Sequence, residues 1–504
     1  MKRFLHIFTS DHANSYLYDR SFSRLTYVHP LLKRLIQMDD NEHRVCRLPD
    51  DDLCAALPEY EREEILYYRN KYNHWLSSGL YGGTDEHTVR YSTKINPYDI
   101  EKQLANIHQV VFEVTDNCNL NCYYCGYGRL YDFYDRRDCI DLDKEKAFRL
   151  LDFLAEYWKS PLNSSVEKEI CLSFYGGEPL MNVPLIQSVI EYVKEKNIPG
   201  IHFYYSMTTN AVLLRKYMDF LVEHDFHLLI SLDGNARNNS YRLFKKGGET
   251  FDFVYKNVCL LREKYPDYFK NRVNFNSVLH NRNSVGDIYH FVKNEFNKLP
   301  MIGELNTMGV REEAKKSFYK AYRNTVESLH QQEDYAAIEE EMFVMLPDSK
   351  NMVYFLHRYT GNVFMDYLSL FQDKKEAVIL PTGTCFPFSR KLFITTAGKI
   401  LQCERIAHKY CLGTVDETGV DLDCQAIADR LNNWYRKIEK QCKNCFRLGS
   451  CSQCIFYIDK LEDSPKCPGF ATIDVLEKQI GTFLYSLEND PRDYEHITNE
   501  IAII

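Results

Sequence analysis

Between residues 108 and 308 the sequence alternates short β-branched or aromatic runs with longer helical patterns. This rhythm constrains the fold more than any other feature of the 504-residue chain. The runs are VVFEV (110–114), ICLSFY (170–175), HFYYSMT (202–208), HLLISL (227–232), RVNFNSVL (272–279) and MIGELNTM (301–308). Between them lie KAFRLLDFLAEYW, VPLIQSVIEYVKEK, LLRKYMDFLVEHD and FDFVYKNVCLLREKY, each with apolar residues at helical spacing. Strand and helix in strict alternation imply parallel strands with right-handed crossovers, hence an α/β fold, either an open sheet or a partial (β/α) barrel. In both, ligands gather beyond the carboxyl ends of the strands.

The flanks read differently. Residues 1–105 form a small α+β unit: SYLYDRSFSRLTYV (15–28) reads as a hairpin, HPLLKRLIQM (29–38) as a helix and EREEILYYRNKYNHWL (61–76) as a second helix. Residues 311–379 read as a charged helical bridge, 380–470 as a loop-rich, cysteine-rich segment, and 471–504 as a helix and tail. A formal net charge of -9 supplies no positive field for nucleic acid or for an acidic membrane surface. The segment MKRFLHIFTSDHANS fails as a signal peptide because His6 and the charges after it break its apolar run, and no window matches a membrane span. A cytoplasmic protein without nucleic-acid or membrane partners is expected.

In a reducing compartment seventeen cysteines are not a disulfide framework. Seven of them, at 46, 54, 139, 171, 259, 411 and 424, are scattered and read as small apolar packing residues. The other ten form two spaced sets. Cys118, Cys122 and Cys125 follow the first strand of the alternating region, on its functional edge. Thiolates suit zinc, copper(I) and iron-sulfur clusters. Structural zinc closes with four ligands, whereas three cysteines on a four-iron cluster leave one iron open for a ligand. YGGEP (175–179) follows the second strand and SLDG (231–234) the fourth; taken singly, each also reads as a turn.

In order along one α/β repeat, Cys-x3-Cys-x2-Cys with Tyr124 before its last cysteine, YGGEP and SLDG resemble the radical S-adenosylmethionine (radical SAM) enzymes. The resemblance implies a partial (β/α)6 TIM-like barrel over residues 106–310. It implies a 4Fe-4S cluster on Cys118, Cys122 and Cys125 whose open iron chelates S-adenosylmethionine, and reductive cleavage to a 5′-deoxyadenosyl radical. Gly176, Gly177 and Glu178 would then hold the cofactor's amino group, Ser231 its ribose or carboxylate, and Arg242 its carboxylate through a planar fork. The family's usual proline after the aspartate-glycine pair is replaced by Asn235. Tyr124 also lies in the cofactor region, with core packing as its plain alternative.

The second set comprises Cys385, Cys403, Cys442, Cys445, Cys451, Cys454 and Cys467. Paired Cys-x2-Cys motifs also read as zinc ribbons. Beside the barrel motifs, the set resembles the SPASM extension of radical SAM peptide-modifying enzymes, which carries two auxiliary 4Fe-4S clusters. That resemblance implies one cluster on Cys442, Cys445, Cys451 and Cys467 and another on Cys385, Cys403 and Cys454. The fourth position of the latter falls to Cys411 or to a substrate thiolate.

The chain is therefore expected to be an enzyme that matures a ribosomally made peptide by thioether or carbon-carbon crosslinking. Its partners would be a precursor peptide and an electron donor such as flavodoxin or ferredoxin, with 1–105 in reach of the peptide's leader. A sulfatase-type maturase is the enzyme alternative, with Glu404 after Cys403 where that type commonly places an aspartate base; a peptide epimerase is another. A non-catalytic leader-binding partner with structural clusters is the alternative of a different class.

Overall fold

The computed structural model describes residues 5–19, 24–42, 45–78, 94–342, 345–346, 352–353, 355–356, 380–447 and 451–500. Much of the expected 311–379 bridge therefore lies outside the described residues. The chain divides into two compact units, one made of residues 1–93, 350–384 and 433–504, the other of 94–349 and 385–432.

The first unit opens with β1 (Leu5–Thr9), β2 (Ser15–Asp19) and β3 (Arg24–Tyr27), an antiparallel sheet in that order. The hairpin read over 15–28 is β2–β3, with Leu17 opposite Thr26. Helices α1 (Pro30–Glu42), α2 (Asp50–Ala55) and α3 (Arg62–Ser77) follow. The alternation of β2 sends Leu17 to the face where Val28, Leu32, Ile36 and Tyr72 bury it. Tyr72 donates to the carboxylate of Asp39 at 3.1 Å, so this core's fully buried phenol is satisfied.

The second unit begins at Lys94, so α4 (Pro97–Ala105) belongs to it. Six strands then alternate with helices: β4 (Gln109–Thr115), α5 (Lys144–Lys159), β5 (Lys168–Gly176), α6 (Val183–Lys196), β6 (Ile201–Thr209), α7 (Leu214–Glu223) and β7 (His227–Ser231). After these come α8 (Phe251–Lys264), α9 (Pro266–Arg272), β8 (Val273–Val278), α10 (Val285–Phe296) and β9 (Pro300–Gly303). β4 to β9 pair in parallel, each with its sequence neighbour. Two of the helices, for example, start at side-chain caps: Asp143 accepts from the N–H groups of Glu145 and Lys146 ahead of α5, and Ser284 from that of Asp287 ahead of α10. VVFEVT is buried throughout β4, as a strand covered on both faces must be.

Beyond β9 lie α11 (Lys315–Ala321), α12 (Thr325–His330) and α13 (Tyr335–Met342). The chain then adds strands to the other side of the sheet. β10 (Leu392–Ile394) pairs in parallel with β4, and β11 (Lys399–Leu401), β12 (Gly413–Val415) and β13 (Val420–Asp421) continue antiparallel before α14 (Cys424–Asn444). Two helices complete the first unit, α15 (Ile473–Asn489) and α16 (Pro491–Glu500). Glu488 of α15 accepts from Ser10, Asn14 and Tyr16, which ties that helix to the β1–β2 hairpin. Among the described residues no helix is long and apolar enough to cross a membrane.

Candidate functional site

At the carboxyl ends of the parallel strands is a cavity of about 590 Å³. β4 contributes Asp116 and the cysteine loop, β5 Tyr175, Gly176, Gly177 and Glu178, β6 Thr208, Thr209 and Asn210, β7 Ser231, and β8 Asn276 and Val278. Cys118, Cys122, Cys125, Tyr124 and Arg242 line it as well. Every barrel residue expected at the cofactor thus faces one space.

The cysteine loop is held by a second segment running against it. The N–H groups of Asn121 and Tyr123 donate to Leu243 and Tyr241, and that of Lys245 to Asn119, at 2.8–3.1 Å. Below the loop lies YGGEP. Gly177 and Glu178 donate their N–H groups to Thr115 and Asn117 at 2.8 and 2.9 Å. A Cβ on Gly177 would stand 1.9 Å from the Asn117 carbonyl oxygen, and one on Gly176, at φ +122°, 2.2 Å from that of Thr115. The two glycines are required by the chain's own backbone, which must pass this close to carry the cysteines.

Glu178 is buried, and its carboxylate accepts from Thr209 Oγ1 and the Asn210 N–H at 2.7 Å and from the Leu180 N–H at 3.1 Å. Burial pushes its carboxyl up to about 7 against these bonds. Asn210 also donates to Asn119 at 2.7 Å, joining the end of β6 to the cysteine loop.

Within SLDG, Ser231 faces the cavity and Asp233 is fully buried. Asp233 accepts from Arg242 Nε at 3.0 Å, Arg242 Nη2 at 2.8 Å and the Val278 N–H at 2.9 Å, and it takes the Tyr124 hydroxyl in a close contact. Burial alone would raise its carboxyl, but the guanidinium and His280 hold it far below the usual carboxylate range. Two donors of Arg242 are therefore engaged within the protein, and the pair ties the cysteine loop through Tyr124 to the ends of β7 and β8. Sequence reading stopped at Ser231 and left Asp233 as a turn residue; a carboxylate two residues beyond a strand end with an arginine nine residues on was the available signal.

Burial pushes the thiols of Cys118 and Cys122 up to about 11 and 12. They are protonated until a metal takes the protons' place. Among the described residues no three His, Cys, Asp or Glu side chains converge as a single-ion site.

The remaining cysteines divide between the two units. In the barrel unit, the Cys385 carbonyl accepts from Gln402 at 3.3 Å, Cys403 receives the Arg405 N–H at 3.4 Å, and the Cys411 thiol donates to the Gly413 carbonyl at 2.9 Å. Glu404 pairs with Lys391 at 3.1 Å and is largely buried. In the other unit are Cys442, Cys445, Cys451, Cys454 and Cys467. Burial, and then the neighbouring Cys451, Cys467 and Cys445, push the Cys442 thiol up to about 12, so these four sulfurs share one neighbourhood.

Residues 112–293 match the family model of the Radical SAM superfamily. Over 463 residues the chain is 22% identical to the radical SAM cyclopropyl synthase TigE of Paramaledivibacter caminithermalis, covering 84% of this chain and 89% of that protein. It is 25% identical over 370 residues to the cysteine-type anaerobic sulfatase-maturating enzyme of Clostridium perfringens, covering 69% and 89%. The solved structure of anSMEcpe with bound AdoMet superposes with a TM-score of 0.53 at 18% identity, covering 78% of this chain and 99% of that one. A further structure of the same protein, which also holds the Cp18Cys peptide, gives 0.50. The likeness to these structures establishes the fold: the α/β radical SAM architecture with its parallel sheet. The family uses a 4Fe-4S cluster and S-adenosylmethionine. The donor set fits that pair: three soft thiols sit on one loop, and the rest of the cavity combines backbone, hydroxyls and amides with the charged groups of Asp116, Glu178, Arg137, Arg242 and Lys245, a mixture suited to an amino acid and a ribose.

Proposed function

We propose, from the premise that this chain carries a radical SAM domain over residues 112–293, that it is a maturase of a ribosomally made peptide, forming a thioether or carbon-carbon crosslink. The observation that carries this reading is the cavity in which Cys118, Cys122, Cys125, the YGGEP backbone and Ser231 meet. The likeness to two modifying enzymes, which covers 84% and 69% of the chain and so exceeds the domain, supports it.

Cys118, Cys122 and Cys125 would hold the cluster, and Gly176, Gly177, Ser231 and the remaining edge of Arg242 the cofactor. Glu178 acts by fixing Asn210 and the strand end beneath the loop. Cluster and S-adenosylmethionine, when bound, supply a carbon-centred radical that takes a hydrogen atom from the substrate. The half-buried ring of Tyr124, bonded to Asp233, and the Asp233–Arg242 pair keep the cysteine loop rigid beside that chemistry.

The shared neighbourhood of Cys442, Cys445, Cys451 and Cys467 supports an auxiliary cluster there, and Cys385 and Cys403 are retained as ligands of another. β3, which among the described strands pairs only with β2, offers an edge to an extended leader, with Tyr27 and Tyr67 exposed in the same unit. The second reading, formylglycine formation, rests on the likeness to the Clostridium perfringens enzyme. It would need Glu404 as a base, and the pairing of Glu404 with Lys391 weighs against that role.

Two measurements test the proposal. Anaerobic reconstitution should load about twelve irons per chain, four for each cluster. Co-expression with any short open reading frame found beside the gene should yield a peptide lighter by two hydrogens. An unchanged mass with an inverted residue would point to epimerisation, and a cysteine whose sulfur is replaced by oxygen with the loss of two hydrogens to the sulfatase-type reaction. A wild-type protein that assembles its clusters yet leaves every such peptide unaltered would contradict the proposal.

A further inference from the structure

Arg137 is unusual among the cations of the barrel unit. It lines the cavity with Cys118 and Cys125, yet its Nε is buried without any hydrogen-bond partner. The carboxylates around it are engaged elsewhere. Glu113 accepts from the Tyr127 hydroxyl at 2.5 Å and the Thr396 N–H at 3.0 Å, and Asp116 accepts from the N–H groups of Asp138 and Ile140, both at 2.9 Å. Arg242, the other guanidinium in the cavity, already has two donors on Asp233.

The position of Arg137 is nevertheless fixed. Its guanidinium stacks 4.3 Å from the centre of the Tyr127 ring, which is itself anchored through Glu113. The backbone after it is pinned by Asp116. Two residues before it, Asp135 is paired with Lys399 at 2.7 Å and with His408 at 3.2 Å. A guanidinium held this firmly with an unmet buried donor is costly unless an acceptor arrives with a ligand.

The geometry points to Arg137 as a tuning group for the iron-sulfur cluster on Cys118, Cys122 and Cys125, donating hydrogen bonds to sulfur and holding the cluster's reduction potential up; this rests on the reading above. Hydrogen bonds to the sulfurs and local net charge are the protein's levers on such a potential, and added positive charge favours the reduced, more negative form. Arginine suits the task because its charge persists at any working pH and its donors lie in a rigid plane.

The test is an EPR-monitored redox titration of the cluster whose signal changes on adding S-adenosylmethionine, in wild type, Arg137→Gln and Arg137→Lys, each reconstituted anaerobically. Arg137→Gln should make reduction at least tenfold less favourable, a midpoint about 59 mV more negative for one electron. Arg137→Lys, which keeps the charge, should stay within threefold of wild type. Should Arg137→Gln fail to assemble, Tyr127→Leu removes the stacking surface and is expected to move the midpoint in the same direction. Unchanged midpoints in the assembled variants would overturn the inference, and a tenfold loss of cofactor affinity at constant potential would make Arg137 a ligand clamp instead. A wild-type protein with no iron, or with no signal responding to the cofactor, would instead show that the radical SAM reading itself had failed.

Discussion

Gly177→Ala places one methyl group 1.9 Å from the Asn117 carbonyl oxygen, 2.4 Å from its carbon and 2.8 Å from the Asp116 oxygen. Ordinary contact begins near 3.4 Å, so the strand end and the cysteine loop must separate by about 1.5 Å. Both neighbours are backbone, so no side chain can swing aside. The 2.8 and 2.9 Å bonds from Gly177 and Glu178 to Thr115 and Asn117 stretch first, and the residue next to the moved carbonyl is Cys118. Overpacking of this kind costs about 1–3 kcal/mol of stability. A displacement near 1 Å at a reacting centre costs on the order of a hundredfold in rate. The assay is iron content and 5′-deoxyadenosine release of the reconstituted protein, with urea denaturation alongside. Gly303→Ala is the control, since its added Cβ meets nothing within 4 Å. We expect release to fall about a hundredfold in Gly177→Ala and to be unchanged in Gly303→Ala. A Gly177→Ala protein that loads iron fully and releases 5′-deoxyadenosine at the wild-type rate would refute the claim that backbone proximity is what requires this glycine.

Other expectations follow from the same geometry. Asp233→Asn leaves Arg242 buried without its counter-charge and should lose about 3–5 kcal/mol in urea melts, with Asp233→Asn/Arg242→Met recovering part of it. Because the folded-state carboxyl of Asp233 lies below its unfolded value, its contribution is present at neutral pH and disappears only as strong acid protonates it. Glu178 has the opposite sign. Its carboxyl is raised to about 7, so the unloaded protein should lose stability as pH rises from about 4.5 to 7 and stay level above that, an effect of up to about 3 kcal/mol that Glu178→Gln should flatten in a pH series of thermal melts. Loading iron at pH 8 should release protons from Cys118 and Cys122, measurable with an indicator dye.

All six parallel strands were legible as short β-branched runs, and the cysteine triplet, YGGEP and Ser231 were legible as residues at strand ends. Their convergence follows from topology, because parallel strands place all their carboxyl ends on one edge. β10 to β13 were not legible: with two or three residues each, they carry no period to read, and only their pairing, β10 on β4 and each later strand on the one before, makes them strands. Asp233 and Arg137 escaped for another reason. The contact of Asp233 with Tyr124 spans 109 residues, and that of Arg137 with Tyr127 depends on how the loop between them folds, so neither is readable from spacing; for Asp233 only the arginine nine residues on gave a signal. Arg242 lines the same cavity as the cysteine triplet, but its ion pair with Asp233 depends on burial that the sequence does not display.

The most direct test is release of 5′-deoxyadenosine from S-adenosylmethionine by the reconstituted, reduced protein, compared with Cys118→Ala carrying the same auxiliary cysteines. We expect release in the wild type and none above background in the variant. Release that survives Cys118→Ala would contradict the assignment of the cavity.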